Sequence, residues 1–117
     1  MLGAVAGLVI FDDGSDWSAA GWLFDFVIRQ VARSVESPAL GARLDEIEAE
    51  NLGCLALREL TSSEQAEVLS VLGSGFVARA DQVLPKDLAR RSEVLEHLGT
   101  LVGQAEQLAG PGRVGPV

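Results

Sequence analysis

The sequence predicts a mainly helical compact domain of four helices. A small two-stranded ribbon (α+β), formed by the N-terminal strand and residues 54–58, joins them. An all-helical bundle is the close alternative. Three observations lead to this class. Apolar residues recur at helical spacing over residues 17–35, 38–50 and 86–109. Helix-start signals stand at Ser37-Pro38 and Thr61-Ser62-Ser63-Glu64. The 117 residues are 48% apolar, and a chain of this size buries about two thirds of its surface in one core. No internal repeat is present, so a single domain is expected over residues 1–109, with a flexible tail at 110–117.

Each element has a local reason. Residues 4–11, Ala-Val-Ala-Gly-Leu-Val-Ile-Phe, read as a short buried strand. Asp13-Gly14 is a turn signal, and Ser15 or Asp16 is placed to cap a helix from about Trp17 to Val35. At 100° per residue, Ala20, Leu23, Phe24, Val27, Ile28, Val31 and Val35 of that helix form one apolar stripe. Trp22 and Phe26 fall on nearly the opposite face, beside Arg29 and Arg33. A helix apolar on two faces is either central or offers one face to a partner. Ser37 and Pro38 suit the first positions of a helix to about residue 50, stopped by Asn51-Leu52-Gly53. Cys54 to Leu57 reads as a short strand or extended connector. Thr61 and Glu64 form a capping box, and the helix they open buries Leu69, Leu72 and Phe76, with a weak point at Gly73 and Gly75. Leu84-Pro85 marks a boundary before a long amphipathic helix from Lys86 to Ala109, ended by Gly110-Pro111-Gly112.

Charge narrows the function classes. The net charge is −8, and all of it lies in residues 1–67, which hold twelve acids and four bases. Residues 68–117 are neutral. A field of this sign repels nucleic acid and steers a basic partner. The size and composition argue against a two-domain enzyme, a disordered chain and a bare nucleic-acid-binding module. The apolar N-terminus is short, lacks basic residues and meets Asp12 and Asp13 at once, so a cytoplasmic protein without a membrane span is expected. Arginine outnumbers lysine eight to one, a composition common in bacterial genomes rich in GC.

No catalytic constellation is visible. His97 is the only histidine and reads as a half-buried helix residue; its other role would be a general base. Cys54 is the only cysteine and reads as a small core residue. Gly73-Ser74-Gly75-Phe76-Val77-Ala78 fits a dinucleotide fingerprint in letters, but a helical pattern precedes it, so a helix break is expected. Asp12-Asp13-Gly14-Ser15-Asp16 offers carboxylates without a calcium-loop motif and reads as a turn. No cofactor or metal is expected. The run Asp45, Glu46, Glu48 and Glu50 reads either as a solvated helix face or as a negative rim for a basic protein. Trp22 and Phe26, flanked by Arg29, are candidate interface anchors or core residues. Asp25 stands one turn before Arg29, at ion-pair spacing.

A Trp- and Phe-rich first long helix is followed by a helix with an acidic face. The link Gly53-Cys54-Leu55-Ala56-Leu57 and a capped helix at Thr61 come next. Over residues 17–72 this pattern resembles the small acidic immunity proteins that neutralise polymorphic bacterial toxins. The resemblance implies a stoichiometric protein inhibitor without catalysis. The expected function is therefore a non-enzymatic protein-binding domain with a basic partner. Trp22, Phe26, Arg29, Asp45, Glu46, Glu48 and Glu50 are its candidate partner-binding residues. Two alternatives stand beside it: a self-associating structural or adaptor subunit, forming a homodimer, and a small-molecule binder using the aromatic cluster at residues 11–26.

Overall fold

A computed structural model describes residues 6–50 and 52–114. Among them the chain forms three strands and five α-helices: β1 (Ala6–Ile10), β2 (Asp16–Ala20), α1 (Gly21–Ser34), α2 (Pro38–Ala49), β3 (Cys54–Ala56), α3 (Ser62–Gly73), α4 (Phe76–Val83) and α5 (Arg91–Val114). A single 3-10 turn covers Leu57–Glu59. The protein is mostly helical with a small sheet, as expected, but it has one strand and one helix more than the sequence predicted. Two compact units divide it, Met1–Val68 and Leu69–Val117, and the boundary falls within α3.

In the first unit, the sheet order is β2-β1-β3. β1 runs antiparallel to β2, with Val9 opposite Trp17, and parallel to β3, with Val9 opposite Leu55. Val9, Trp17, Ala19 and Leu55 are all buried, so one side of the sheet is a core layer. The expected strand residues Ala4 and Val5 lie outside the described residues.

The extra strand is β2, where a helix start was expected. Residues 16–20 alternate exposed and buried, the period of a strand. The turn before β2 is closed by Phe11 donating to Ser15 and by Gly14 at φ 91°. Asp13 there accepts from the backbone N–H and hydroxyl of Ser15, at 2.9 and 2.6 Å. Ser15 and Asp16 therefore shape a hairpin rather than cap α1, whose N-cap is Ala20 without a side-chain bond.

Helix α1 packs on β1, β2 and α2. Leu23, Phe24, Val27, Ile28 and Val31 are buried, as the stripe predicts, whereas Ala20 is exposed at the end of β2. Gly7 of β1 lies so close to α1 that an added Cβ would sit 2.0 Å from Phe24. Helix α2 begins as expected: Ser37 Oγ accepts from the backbone N–H of Leu40, and Pro38 follows the cap. The Glu67 carboxylate accepts from the backbone N–H groups of Glu36 and Ser37 and so ties the α1–α2 link to α3. Asn51 of the expected stop lies outside the described residues; Gly53 turns the chain at φ 69° and accepts from the backbone N–H of Leu8.

In the second unit, Gly75 at φ 75° separates α3 from α4. This break accounts for the fifth helix. Helices α4 and α5 pack together, and Phe76, Ala80, Leu84, Leu98, Leu101 and Ala105 are buried. Helix α5 begins at Arg91 rather than Lys86, because Leu88 donates to the Pro85 carbonyl and Arg90 adopts φ 57°. Arg91 holds this turn by pairing with Asp81 at 2.7 Å and donating to the carbonyls of Pro85 and Asp81. At its other end α5 continues to Val114, past the expected stop at Gly110-Pro111-Gly112. Residues 115–117 lie outside the described residues.

Candidate partner-binding site

The first unit carries all seven residues that the sequence singles out. Their placement splits them. Trp22 stands at the start of α1 and is 49% exposed, whereas Phe26, one turn later, is buried at 7%. Phe26 is thus a core residue and not a surface anchor. α1 is covered on its inner side by both the sheet and α2, and that wide contact takes in Phe26 while leaving Trp22 outside. Phe11, Trp17 and Phe24 are buried as well, so four of the five aromatic residues between 11 and 26 serve packing.

Arg29 is held by Glu48. Its Nε donates to Glu48 Oε2 at 3.1 Å, and Nη2 reaches the same oxygen at 2.5 Å. The hydrogen bond to Glu48 raises the guanidinium pKa above its already high ordinary value, with Asp25 contributing only a weaker through-space attraction. This corrects the expected Asp25–Arg29 pair: a side chain from α2 offers better geometry than the neighbour one turn back. Arg29 and Glu48 clamp α1 to α2, and both are spent on each other. For a pair this accessible the contribution to stability is about 1 kcal/mol or less.

Asp45 and Glu46 on α2, and Glu50 at its C-cap, are exposed and make no ion pair among the described residues. The buried side of the same helix is Leu40, Leu44 and Ile47. The spacing of these three is what forces the carboxylates outward. Three of the four predicted acids therefore form a free negative face, and the fourth is a structural partner of Arg29.

Sequence reasoning missed a groove beside this face. It has a volume of about 200 Å³ and lies between α2 and residues 52–60, with Ile47, Leu55 and Leu60 lining it. Leu52, expected only as part of a helix stop, is 59% exposed at the groove. Cys54 also lines it and is exposed, which overturns its reading as a core residue. In β3 it is Leu55 that points inward, so Cys54 must point out.

The structure places the remaining candidates as follows. His97 is half-buried on α5, as expected. Gly73-Ser74-Gly75 follows a helix and breaks it, so no strand precedes the fingerprint letters. Asp13 is tied to Ser15 in a turn, and these hydrogen bonds hold its carboxyl below the usual range. Among the described residues, no group of three or more His, Cys, Asp or Glu is placed to hold a metal ion. Nor is any helix there long and apolar enough to cross a membrane. Comparison with protein-family models, curated proteins and solved structures found no match.

Proposed function

We propose that the chain is a non-enzymatic protein-binding domain of the immunity-inhibitor kind, which presents the acidic face of α2 to a basic partner such as a nuclease toxin. The observation that carries this reading is the free negative face. Asp45, Glu46 and Glu50 are exposed and unpaired among the described residues, within the unit that holds the entire charge of −8. Such a field raises association rates with a basic surface by about tenfold or more at low salt. Trp22 is the exposed aromatic available as an anchor, because a ring that loses its hydration on contact is a typical centre of binding energy. Arg29 and Glu48 support the face from behind by fixing α1 against α2, and Phe26 belongs to the core.

The test is capture from native lysate at low and high salt, with the wild type, a triple variant (Asp45→Lys, Glu46→Lys, Glu50→Lys) and Trp22→Ala. The expected result is a basic partner bound by the wild type, released by salt and lost by the triple variant. A partner retained equally by all three proteins at both salts would refute the electrostatic reading.

A further inference from the structure

We infer, resting on the protein-binding reading above, that the outer edge of β3 holds the partner by strand addition: an extended segment of the partner that bears lysine or arginine joins the sheet as a fourth strand. Among the described residues the sheet order is β2-β1-β3, so β3 has a neighbouring strand on one side only. The pairing decides which of its backbone groups are spent. Leu8 donates to the Gly53 carbonyl and stands opposite Cys54. Backbone groups along a strand alternate in direction, so Leu55 turns its N–H and C=O to β1, while Cys54 and Ala56 turn theirs away. The Ala56 carbonyl opens the 3-10 turn. The N–H and C=O of Cys54 and the N–H of Ala56 remain, and no backbone bond from a loop or helix among the described residues reaches them. These three groups suit an antiparallel strand. One of its residues exchanges both bonds with Cys54, and the carbonyl two residues along accepts from Ala56.

The groove of about 200 Å³ borders this edge, with Cys54, Leu55 and Ala56 on the side of β3 and Arg43, Glu46 and Ile47 on the side of α2. Cys54 is exposed and Ala56 half-buried, so solvent reaches the edge. Ile47 and Leu55 are each more than nine-tenths buried. The groove therefore offers main chain and charged side chains rather than an apolar seat. An edge of this kind takes an extended chain through its backbone and leaves selection to the side chains around it.

Charge selects the occupant. Glu46 and Glu59 outnumber Arg43 at the groove, and all three are exposed. The unit around them carries the whole charge of −8. A segment with lysine or arginine is attracted there. An acidic segment, or the same edge of a second copy of this chain, is repelled.

The probe is a short peptide of alternating lysine and threonine. Its controls are the same peptide methylated on every central backbone nitrogen, and a peptide of alternating glutamate and threonine. Each is titrated at low salt into isotope-labelled protein and followed by NMR. The lysine peptide is expected to shift the amide signals of Cys54 and Ala56 and to slow their hydrogen exchange severalfold. Methylation keeps the charge but removes the peptide's N–H donors and blocks close approach to the edge. It is expected to weaken binding by about tenfold or more. The pair Glu46→Lys with Glu59→Lys, its fold checked by circular dichroism, should weaken the lysine peptide by about tenfold.

Equal binding of the plain and methylated lysine peptides, or binding that leaves the Cys54 and Ala56 amides unmoved, would overturn strand addition and leave the acidic face standing. Failure of the plain lysine peptide to bind would also overturn strand addition, and the capture experiment above judges the acidic face separately. Equal binding of the lysine and glutamate peptides would overturn selection by charge. Protection of the two amides at high protein concentration without peptide, with a dimer in light scattering, would assign the edge to a second copy and overturn the partner.

Discussion

Trp22 and Phe26 stand one helical turn apart, yet one is a surface ring and the other a core ring. Their substitutions should separate accordingly. Phe26→Ala is expected to cost about 3–5 kcal/mol, the usual loss for a buried ring. Trp22→Ala should stay within about 0.5 kcal/mol of the wild type. Urea unfolding of the two variants checks the contrast. Gly7 gives a third residue-scale case, because any Cβ there enters the Phe24 side chain. Gly7→Ala should destabilise by about 1–3 kcal/mol through overpacking, measured the same way. Asp13 predicts a pH effect. Its folded pKa is lowered by the side-chain and then the backbone hydrogen bond from Ser15. Folding therefore favours its ionised form. That contribution is present above the ordinary value of 3.8 and is lost as pH falls through the lower folded value. An NMR titration should place the Asp13 midpoint below 3.8, and Ser15→Ala should move it back up.

Among the elements, those with their own local signals were legible in advance. The capping box is formed as read: Glu64 donates its backbone N–H to Thr61 Oγ1 at 3.1 Å, and Thr61 donates to Glu64 Oε1 at 3.0 Å. Thr61→Ala should cost about 1 kcal/mol in thermal or urea unfolding. The weak point at Gly73 and Gly75 is a true break, because Gly75 takes a left-handed conformation that other residues resist. β2 was not legible as a strand. Trp17 and Ala19 suit either a helix stripe or a strand face, and five residues are too few for periodicity to decide. Backbone pairing with β1 decides it, and no local pattern reports that. The start of α5 was misjudged for a related reason. Its position depends on Arg91 reaching carbonyls six to ten residues back, a contact made only after the turn has formed.

Across the whole molecule, the division of charge coincides with a division of structure. The break between acidic and neutral residues falls at 67–68, and the first compact unit ends at Val68. The negative field therefore belongs to one unit, the one containing the sheet, α1 and α2. Partner binding should accordingly fall steeply with ionic strength, while charge-reversing substitutions confined to α5, such as Glu96→Lys, should leave it within about twofold of the wild type. A titration against the captured partner at several salt concentrations measures both. What the sequence alone determined is the mainly helical class, the acidic face of α2, the Ser37 cap of α2 and the Thr61 capping box of α3, and the location of the charge. All of these follow from residues near one another in the chain. Only the tertiary structure decided that Phe26 is core and Trp22 is surface, that Arg29 answers Glu48 rather than Asp25, and that Leu52 and Cys54 border a groove. These depend on which helix or strand lies opposite a given side chain. Segments far apart in sequence settle that, through the packing of α1 against the sheet and α2, and β3 alongside β1.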